Sequence, residues 1–230
     1  MPLPFAFVLR ARGSGFGSAG GNRAAQAFSL SAGFPARVRG IVVFLCMSKA
    51  TSRRLGFEVD KMSNSIEEIR TGNVCATRLV RLYPSDAEML SSLEWQFDWS
   101  IELRNPDHEV YALTTTENPG VFQGLISISD MDDHVFMDLL ESAPFNIGRD
   151  KEHMGVASNL VAFACYRAFK IGYDGVVAFE AKTKLIGHYE TTLGAKLIAG
   201  NRMFINTPAA HTLVNSYLKN FDEDQLQETG

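Results

Sequence analysis

Three cysteines in 230 residues, Cys46, Cys75 and Cys165, form no C-x-x-C pair. That spacing argues against a disulfide framework and a cysteine zinc site, and it fits a reducing compartment, here taken as the cytoplasm. The five histidines show no metal-ligand spacing, so no metal is expected. No apolar run approaches the ~18 residues that span a bilayer, and the longest candidate, Gly40–Met47, is far too short, so no membrane partner is expected. A Walker A loop and a G-x-S-x-G serine elbow are both absent, and the glycine set of a dinucleotide fingerprint is incomplete.

Acidic residues are missing from the first 57 positions, which carry eight Lys or Arg. The rest of the chain holds 14 basic against 26 acidic residues. A body this acidic is a poor general nucleic-acid binder, because phosphate contacts need clustered cations. The acid-free stretch is rich in Gly, Ala, Ser and Arg and keeps no helical or alternating period. Three readings stay open: a transit peptide, which would imply organelle targeting if residues 1–57 are translated; a secretory signal, although its positive charge follows the apolar stretch; and a true start downstream, at Met47 or Met62. The expected organisation is an extension over 1–61, disordered or mis-assigned, a single domain over 62–222 and a frayed tail over 223–230.

Patterning in the body predicts a strand over Cys75–Tyr83 and a helix over Pro84–Trp99, capped by Ser85 with Glu88, whose stripe is Leu90, Leu93, Phe97 and Ile101. Three strands joined by tight turns follow, Glu109–Thr115, Val121–Ser129 and His134–Pro144, and should pair antiparallel. The period then changes to a helix over Gly155–Ile171, stopped by Gly172, and an apolar strand over Gly175–Ala181, which together make a βαβ crossover. A helix over Thr183–Gly194, a strand over Ala195–Asn206 and a helix over Thr207–Phe221, capped by Thr207, complete the chain. The fold class is therefore α+β, a mixed, mostly antiparallel sheet with one βαβ crossover.

The segment "RDKEHMGVASNL", Arg149–Leu160, lies where such a crossover presents a helix N-terminus outside a strand's carboxyl end. Gly155 admits close backbone approach, Ala157 keeps the first turn thin, Ser158 offers a hydroxyl, and Arg149, Lys151 and His153 add positive charge. The spacing suits a phosphate, and it equally suits simple helix–sheet packing.

Element order, with "LLESAP", "RDKEHMGVASNLVAFAC", "GVVAFEA" and "HYETTLGAKLIAGNRMFI", resembles the GNAT family, the Gcn5-related N-acyltransferases, from Cys75 to Phe221. The resemblance implies a GNAT-like acyl-CoA N-acyltransferase fold in which two neighbouring parallel strands splay apart and the pantetheine arm of acetyl-CoA lies along the first, here at Leu140 and Ser142. It implies a pyrophosphate loop of pattern Q/R-x-x-G-x-G/A, which reads here Glu152, His153, Met154, Gly155, Val156, Ala157; the first position departs from the pattern. It further implies acetyl transfer to a primary amine by direct attack in a ternary complex, with Tyr189 as proton donor, one residue out of the usual register before its glycine. A tyrosine packing its ring with its hydroxyl at the surface remains the alternative for Tyr189. Glu141 and Glu180 are candidate bases or solvated strand-end carboxylates, and on the strand Glu141 shares a face with Val135, Met137 and Leu139. The expected partners are an acyl-CoA and an unidentified amine, with a homodimer left open. A CoA-binding or regulatory module without turnover is the other function class.

Overall fold

The computed structural model describes residues 53–57, 59, 65–91, 94–218 and 226–228. In chain order, β1 (Ile66–Glu68) and β2 (Val74–Cys75) pair antiparallel and lead into β3 (Thr77–Leu82). Two short helices follow, α1 (Ala87–Ser91) and α2 (Trp99–Arg104). The meander is β4 (His108–Thr115), β5 (Phe122–Asp130) and β6 (Val135–Ser142). Then come β7 (His153–Met154), α3 (Val156–Lys170), β8 (Val177–Glu180) and α4 (Ile186–Leu193). The chain ends with β9 (Lys196–Ala199), β10 (Arg202–Ile205), α5 (Thr207–Tyr217) and β11 (Leu226–Glu228).

One eight-stranded sheet runs β11-β3-β4-β5-β6-β8-β10-β9, and a small sheet runs β2-β1-β7. Pairing in the large sheet is antiparallel except for β6 with β8 and β11 with β3. The expected fold class is the one observed, and β6–α3–β8 is its crossover. The two faces of the sheet carry separate cores. The larger holds α3 and α5, with Leu160, Phe163 and Leu213 packed on Ile126, Ile128 and Met137. The smaller holds α1 and α2, with Leu90, Trp99 and Leu103 against Val110, Leu125 and Leu139. Because both faces are covered, β4 to β6 are buried almost throughout, and alternation along them separates two cores rather than core from solvent.

Several elements differ from the sequence expectation. The single helix over Pro84–Trp99 is instead a 3-10 turn at Pro84–Asp86 running into α1, followed by a separate α2 that starts where the first was to end. The Asp86 carboxylate accepts from the Tyr83 amide, which displaces the Ser85 cap, and Asp98 caps α2 through the Ser100 amide. Ile101 is half exposed, and Leu93 lies outside the described residues. The strand over Ala195–Asn206 is a hairpin, turned at Gly200 with φ +59°. Asn206, one residue before Thr207, caps α5 by accepting from Ala209. Leu55, Phe57 and Val59, assigned by patterning to the N-terminal extension, are buried in the larger core. Residues 226–228, assigned to the frayed tail, pair with β3.

A bulge changes what β6 presents. Ile128 pairs with Met137 and Ser127 with Leu139, so Asp138 is an extra residue without a ladder partner. Past it the parity flips: Met137 and Leu140 belong to the larger core, Leu139 to the smaller. The expectation that Glu141 shares a face with Val135 and Met137 is therefore corrected, because an extra residue reverses every later side chain. On the opposite strand Gly124 makes room for α3. A Cβ there would lie 2.7 Å from Val156 Cγ1, 3.0 Å from the Glu141 carbonyl and 3.1 Å from Leu160 Cδ1. Gly124→Ala should therefore push the first turn of α3 off the sheet and cost about 2 kcal/mol, read by thermal unfolding. An unchanged melting temperature would show that the helix start shifts freely.

Candidate functional site

The site is a fork. β6 and β8 pair in parallel over Val135–Met137 and Val177–Phe179 and no further. They part at the Asp138 bulge, and beyond it lies a cleft of about 160 Å³. Leu139 to Ser142 of β6 form one side, and Val156 and Ala157, the first residues of α3, close one end. Gln96 and Phe97, ahead of α2, border it on the face of the smaller core.

The loop between β6 and α3 is held at its base by Asn146, which is buried. Its Nδ2 donates to the Gln123 carbonyl and to Gln123 Oε1, at 3.1 and 2.9 Å, and its Oδ1 accepts from the His153 amide at 3.0 Å. This clamp ties β5 to β7 and sets His153 at the cleft. The outer side of the loop is covered by the small sheet. Glu67 and Glu68 pair with Met154 and His153, and the Ile69 amide donates to the Glu152 carbonyl at 2.8 Å. The main chain of Glu152 is thus engaged in strand pairing, while its side chain is exposed. Gly155 precedes α3 with φ +85°, a left-handed conformation that favours glycine, so its freedom turns the chain into the helix. Helix geometry leaves the first-turn amides of α3 without intrahelical partners, and that end faces the cleft.

Of the residues singled out from the sequence, Leu140, Glu141, Ser142, His153, Val156 and Ala157 meet in this cleft. Arg149 is exposed and Lys151 half-buried on the outer loop, and Met154 takes part in the β1 pairing. Ser158 is fully buried beneath the helix rather than facing the opening. Glu180 pairs across to Arg202 of β10, and its carbonyl accepts from the Leu55 amide.

Glu141 is buried and accepts three N–H groups: from the Gln96 amide at 2.5 Å, the Phe97 amide at 3.4 Å and Trp99 Nε1 at 2.9 Å. It anchors the segment ahead of α2 to β6. Tyr189 is fully buried, and its hydroxyl both donates to the Phe57 carbonyl and accepts from the Phe57 amide, each at 2.9 Å. Burial raises its pKa, opposed by the Phe57 contact. The ring is packed as in the alternative for Tyr189, but the hydroxyl that this alternative puts at the surface is buried against the Phe57 main chain.

Sequence reasoning missed two contributions. The first is the strap Arg53–Phe57, four of whose residues, Arg54 to Phe57, line the cleft. The second is a polar cluster on the α2 face, beside the fork. Glu102 Oε2 accepts from Ser127 Oγ at 2.8 Å and lies 2.8 Å from His108 Nδ1, and Glu102 Oε1 pairs with Arg53 at 3.1 Å. His108 Nε2 stands 3.6 Å from Asp138 Oδ1, while Asp138 Oδ2 is buried without a hydrogen-bond partner. Burial raises the Asp138 pKa to about 6, opposed by the His108 charge and the Ser129 hydroxyl. Burial works to lower the His108 pKa, but the bond to Glu102 and the charges of Asp138, Glu102 and Asp107 outweigh it and the net shift is upward. For Glu102, burial works upward and is outweighed by the His108 and Ser127 hydrogen bonds, so its pKa is lowered. Asp138 stands on the α2 face, opposite Met137, beside the cleft and outside its lining.

No family model and no curated protein sequence matches the chain. Solved structures similar to it include AtaTR bound with AcCoA, at 16% identity over 60% of this chain and 98% of the other, TM-score 0.44. A spermidine N-acetyltransferase SpeG chimera from Vibrio cholerae and hSSAT is 13% identical over 59% and 98% of the two chains, TM-score 0.42. A nourseothricin acetyltransferase is 18% identical over 58% and 99%, TM-score 0.38. Among the described residues no helix is long and apolar enough to cross a membrane.

Proposed function

We propose that the chain is an acyl-CoA-dependent N-acyltransferase, with acetyl-CoA as donor and a primary amine as acceptor. The observation that carries this reading is the fork, in which two parallel strands part at a bulge beside a helix N-terminus. The edge of β6 past Met137 offers main-chain groups to an extended arm, as a neighbouring strand would. The start of α3 suits the anionic end of such a ligand, and Arg54, His153 and Lys182 line the same cleft. With Glu141 held by three N–H donors, Asp138, the bulged residue beside the cleft, is the remaining carboxylate at the fork, and burial raises its pKa to about 6.

In the proposed reaction Asp138, which stands beside the cleft and not in its lining, takes a proton from the acceptor ammonium through water. The free amine attacks the thioester carbonyl, the N–C bond forms, and the C–S bond breaks. The attacking nitrogen sheds one proton and the departing thiolate takes one up, leaving amide and CoA thiol. His108 positions Asp138, and Glu102 and Ser127 hold His108. Acetyl-CoA should raise the melting temperature, and CoA release should follow addition of a suitable amine from a panel. No thermal shift with acetyl-CoA would overturn the reading. A second reading, a CoA-binding module without turnover, is favoured by the engagement of the Tyr189 hydroxyl with Phe57. Thermal shift without CoA release across a broad panel would select it.

A further inference from the structure

The edge of β8 beyond the fork is occupied by the protein's own strap. Leu55 bridges to Ala181 in parallel: its amide donates to the Glu180 carbonyl at 2.5 Å and its carbonyl accepts from the Lys182 amide at 2.8 Å. Two residues on, the amide and carbonyl of Phe57 both bond to the Tyr189 hydroxyl. The Val59 amide donates to His188 Nε2 at 3.1 Å. These contacts read an extended main chain at alternate residues, as strand addition does.

Side-chain selection accompanies them. Leu55 is 2% exposed, and the Phe57 ring stacks on Tyr189 with centroids 4.8 Å apart. Between them a Cβ on Gly56 would stand 2.4 Å from Lys182 Cδ, so glycine is the residue that fits without moving Lys182. Arg53 enters first, paired with Glu102 and lying over the Phe97 ring. The pattern accepted is therefore arginine, any residue, leucine, any residue, aromatic, with a side chain at the fourth place displacing only the exposed end of Lys182.

We propose that the β8 edge and α4 form a peptide-docking groove, filled in cis by Arg53–Phe57 and Val59 and open in trans to an extended peptide of the same pattern when that segment leaves. The Leu55 bridge is isolated, so departure breaks one bridge with its two main-chain hydrogen bonds, not a longer ladder, and lifts three buried side chains from the core. It also strips partners from the Glu180 carbonyl, the Lys182 amide and the buried Tyr189 hydroxyl, and such groups favour refilling over an open groove. The docked strap also forms part of the cleft wall, so its exchange resizes the opening beside β6. The groove stands on main-chain geometry and needs no acyl transfer.

The test uses the full chain and a fluorescent synthetic peptide with the sequence of residues 53–59, without acyl-CoA. Leu55→Pro removes the amide that donates to Glu180, and Phe57→Ala removes the ring on Tyr189. Fluorescence anisotropy should show the peptide binding each variant at least ~10-fold more tightly than the unaltered chain, because the competing segment is weakened. A peptide with alanine in place of the phenylalanine should bind at least ~10-fold more weakly, because the ring that stacks on Tyr189 is missing. Equal binding of the two peptides, or no binding to variants that still unfold cooperatively, would overturn the groove. Should both variants fail to fold, hydrogen exchange on the unaltered chain decides. The amides of Leu55 and Lys182 should exchange well before those of Ala178 and Phe179, whereas exchange only with global unfolding would show that the strap never leaves. Since acyl-CoA is absent from every arm, these outcomes stand apart from the success or failure of the acyltransfer reading.

Discussion

Glu141→Ala is expected to lower the melting temperature by roughly 10 °C, the largest stability effect of any single substitution at the cleft. The carboxylate lies in a 5% exposed position and is the acceptor for the Gln96 and Phe97 amides and for the indole N–H of Trp99. Alanine leaves these donors facing a void. An unsatisfied buried donor costs about 1–3 kcal/mol, and with one of the three contacts long, a total of roughly 3–4 kcal/mol follows. A domain of 150–250 residues loses about 2–4 °C per kcal/mol, which gives the stated shift. Glu141→Gln separates the structural role from a catalytic one. It keeps the shape but turns an NH₂ group toward a donor, so the melting temperature should fall by an intermediate amount. A base acting on substrate would instead show loss of kcat at an unchanged melting temperature. A shift of less than ~2 °C for Glu141→Ala would mean that the loop ahead of α2 is held by something else.

The same residue shows how far the chain was legible before folding. Its neighbourhood was found by pattern: the meander, the crossover and the small-residue helix start each carry a local signature, a change of period or a glycine at a turn. Its role was not, because the role depends on Trp99, 42 positions away, and on a break in helical structure that Leu90, Phe97 and Ile101 concealed by their spacing. The Asp138 bulge is equally silent. One extra residue in a strand covered on both faces leaves no mark in hydrophobicity, since Met137, Leu139 and Leu140 are apolar whichever core they join. The strap was passed over for a different reason. Leu55, Phe57 and Val59 do alternate as a buried strand should, but three residues beside a long acid-free, glycine-rich stretch are too short a signal to separate from it. Glu152, whose identity departs from the expected loop pattern, engages the small sheet through its main chain, a contribution that any residue but proline on the donor side permits.

If Asp138 is the proton acceptor, Asp138→Asn should lower kcat by about 10²–10⁴-fold with little change in KM for the acyl donor. The pH dependence supplies the sharper readout. With the Asp138 pKa raised to about 6, the rate on the unaltered enzyme should climb as pH rises through that value and then level off. Asp138→Asn should abolish that limb. Stability must move the other way. A carboxyl whose folded pKa is raised above its unfolded value binds its proton more tightly in the native state, so its stabilising contribution is present at low pH and is lost as pH climbs from about 4 to about 6. His108, raised likewise, contributes below its unfolded value near 6.5 and loses that contribution as pH passes its folded value. Glu102, lowered, acts in the opposite sense and matters only toward acid. The groups facing Asp138 and its histidine are Glu102 from α2, with Arg53 beyond it, and Asp107 ahead of β4, so the pair titrates within a mixed field rather than alone. Asparagine relieves the buried, unpartnered oxygen of its charge, and the variant should therefore be at least as stable as the parent at pH 8 while turning over far more slowly. Loss of both activity and stability at pH 8 would reduce Asp138 to a structural partner of His108, and an unaltered pH profile in the variant would remove it from the chemistry altogether.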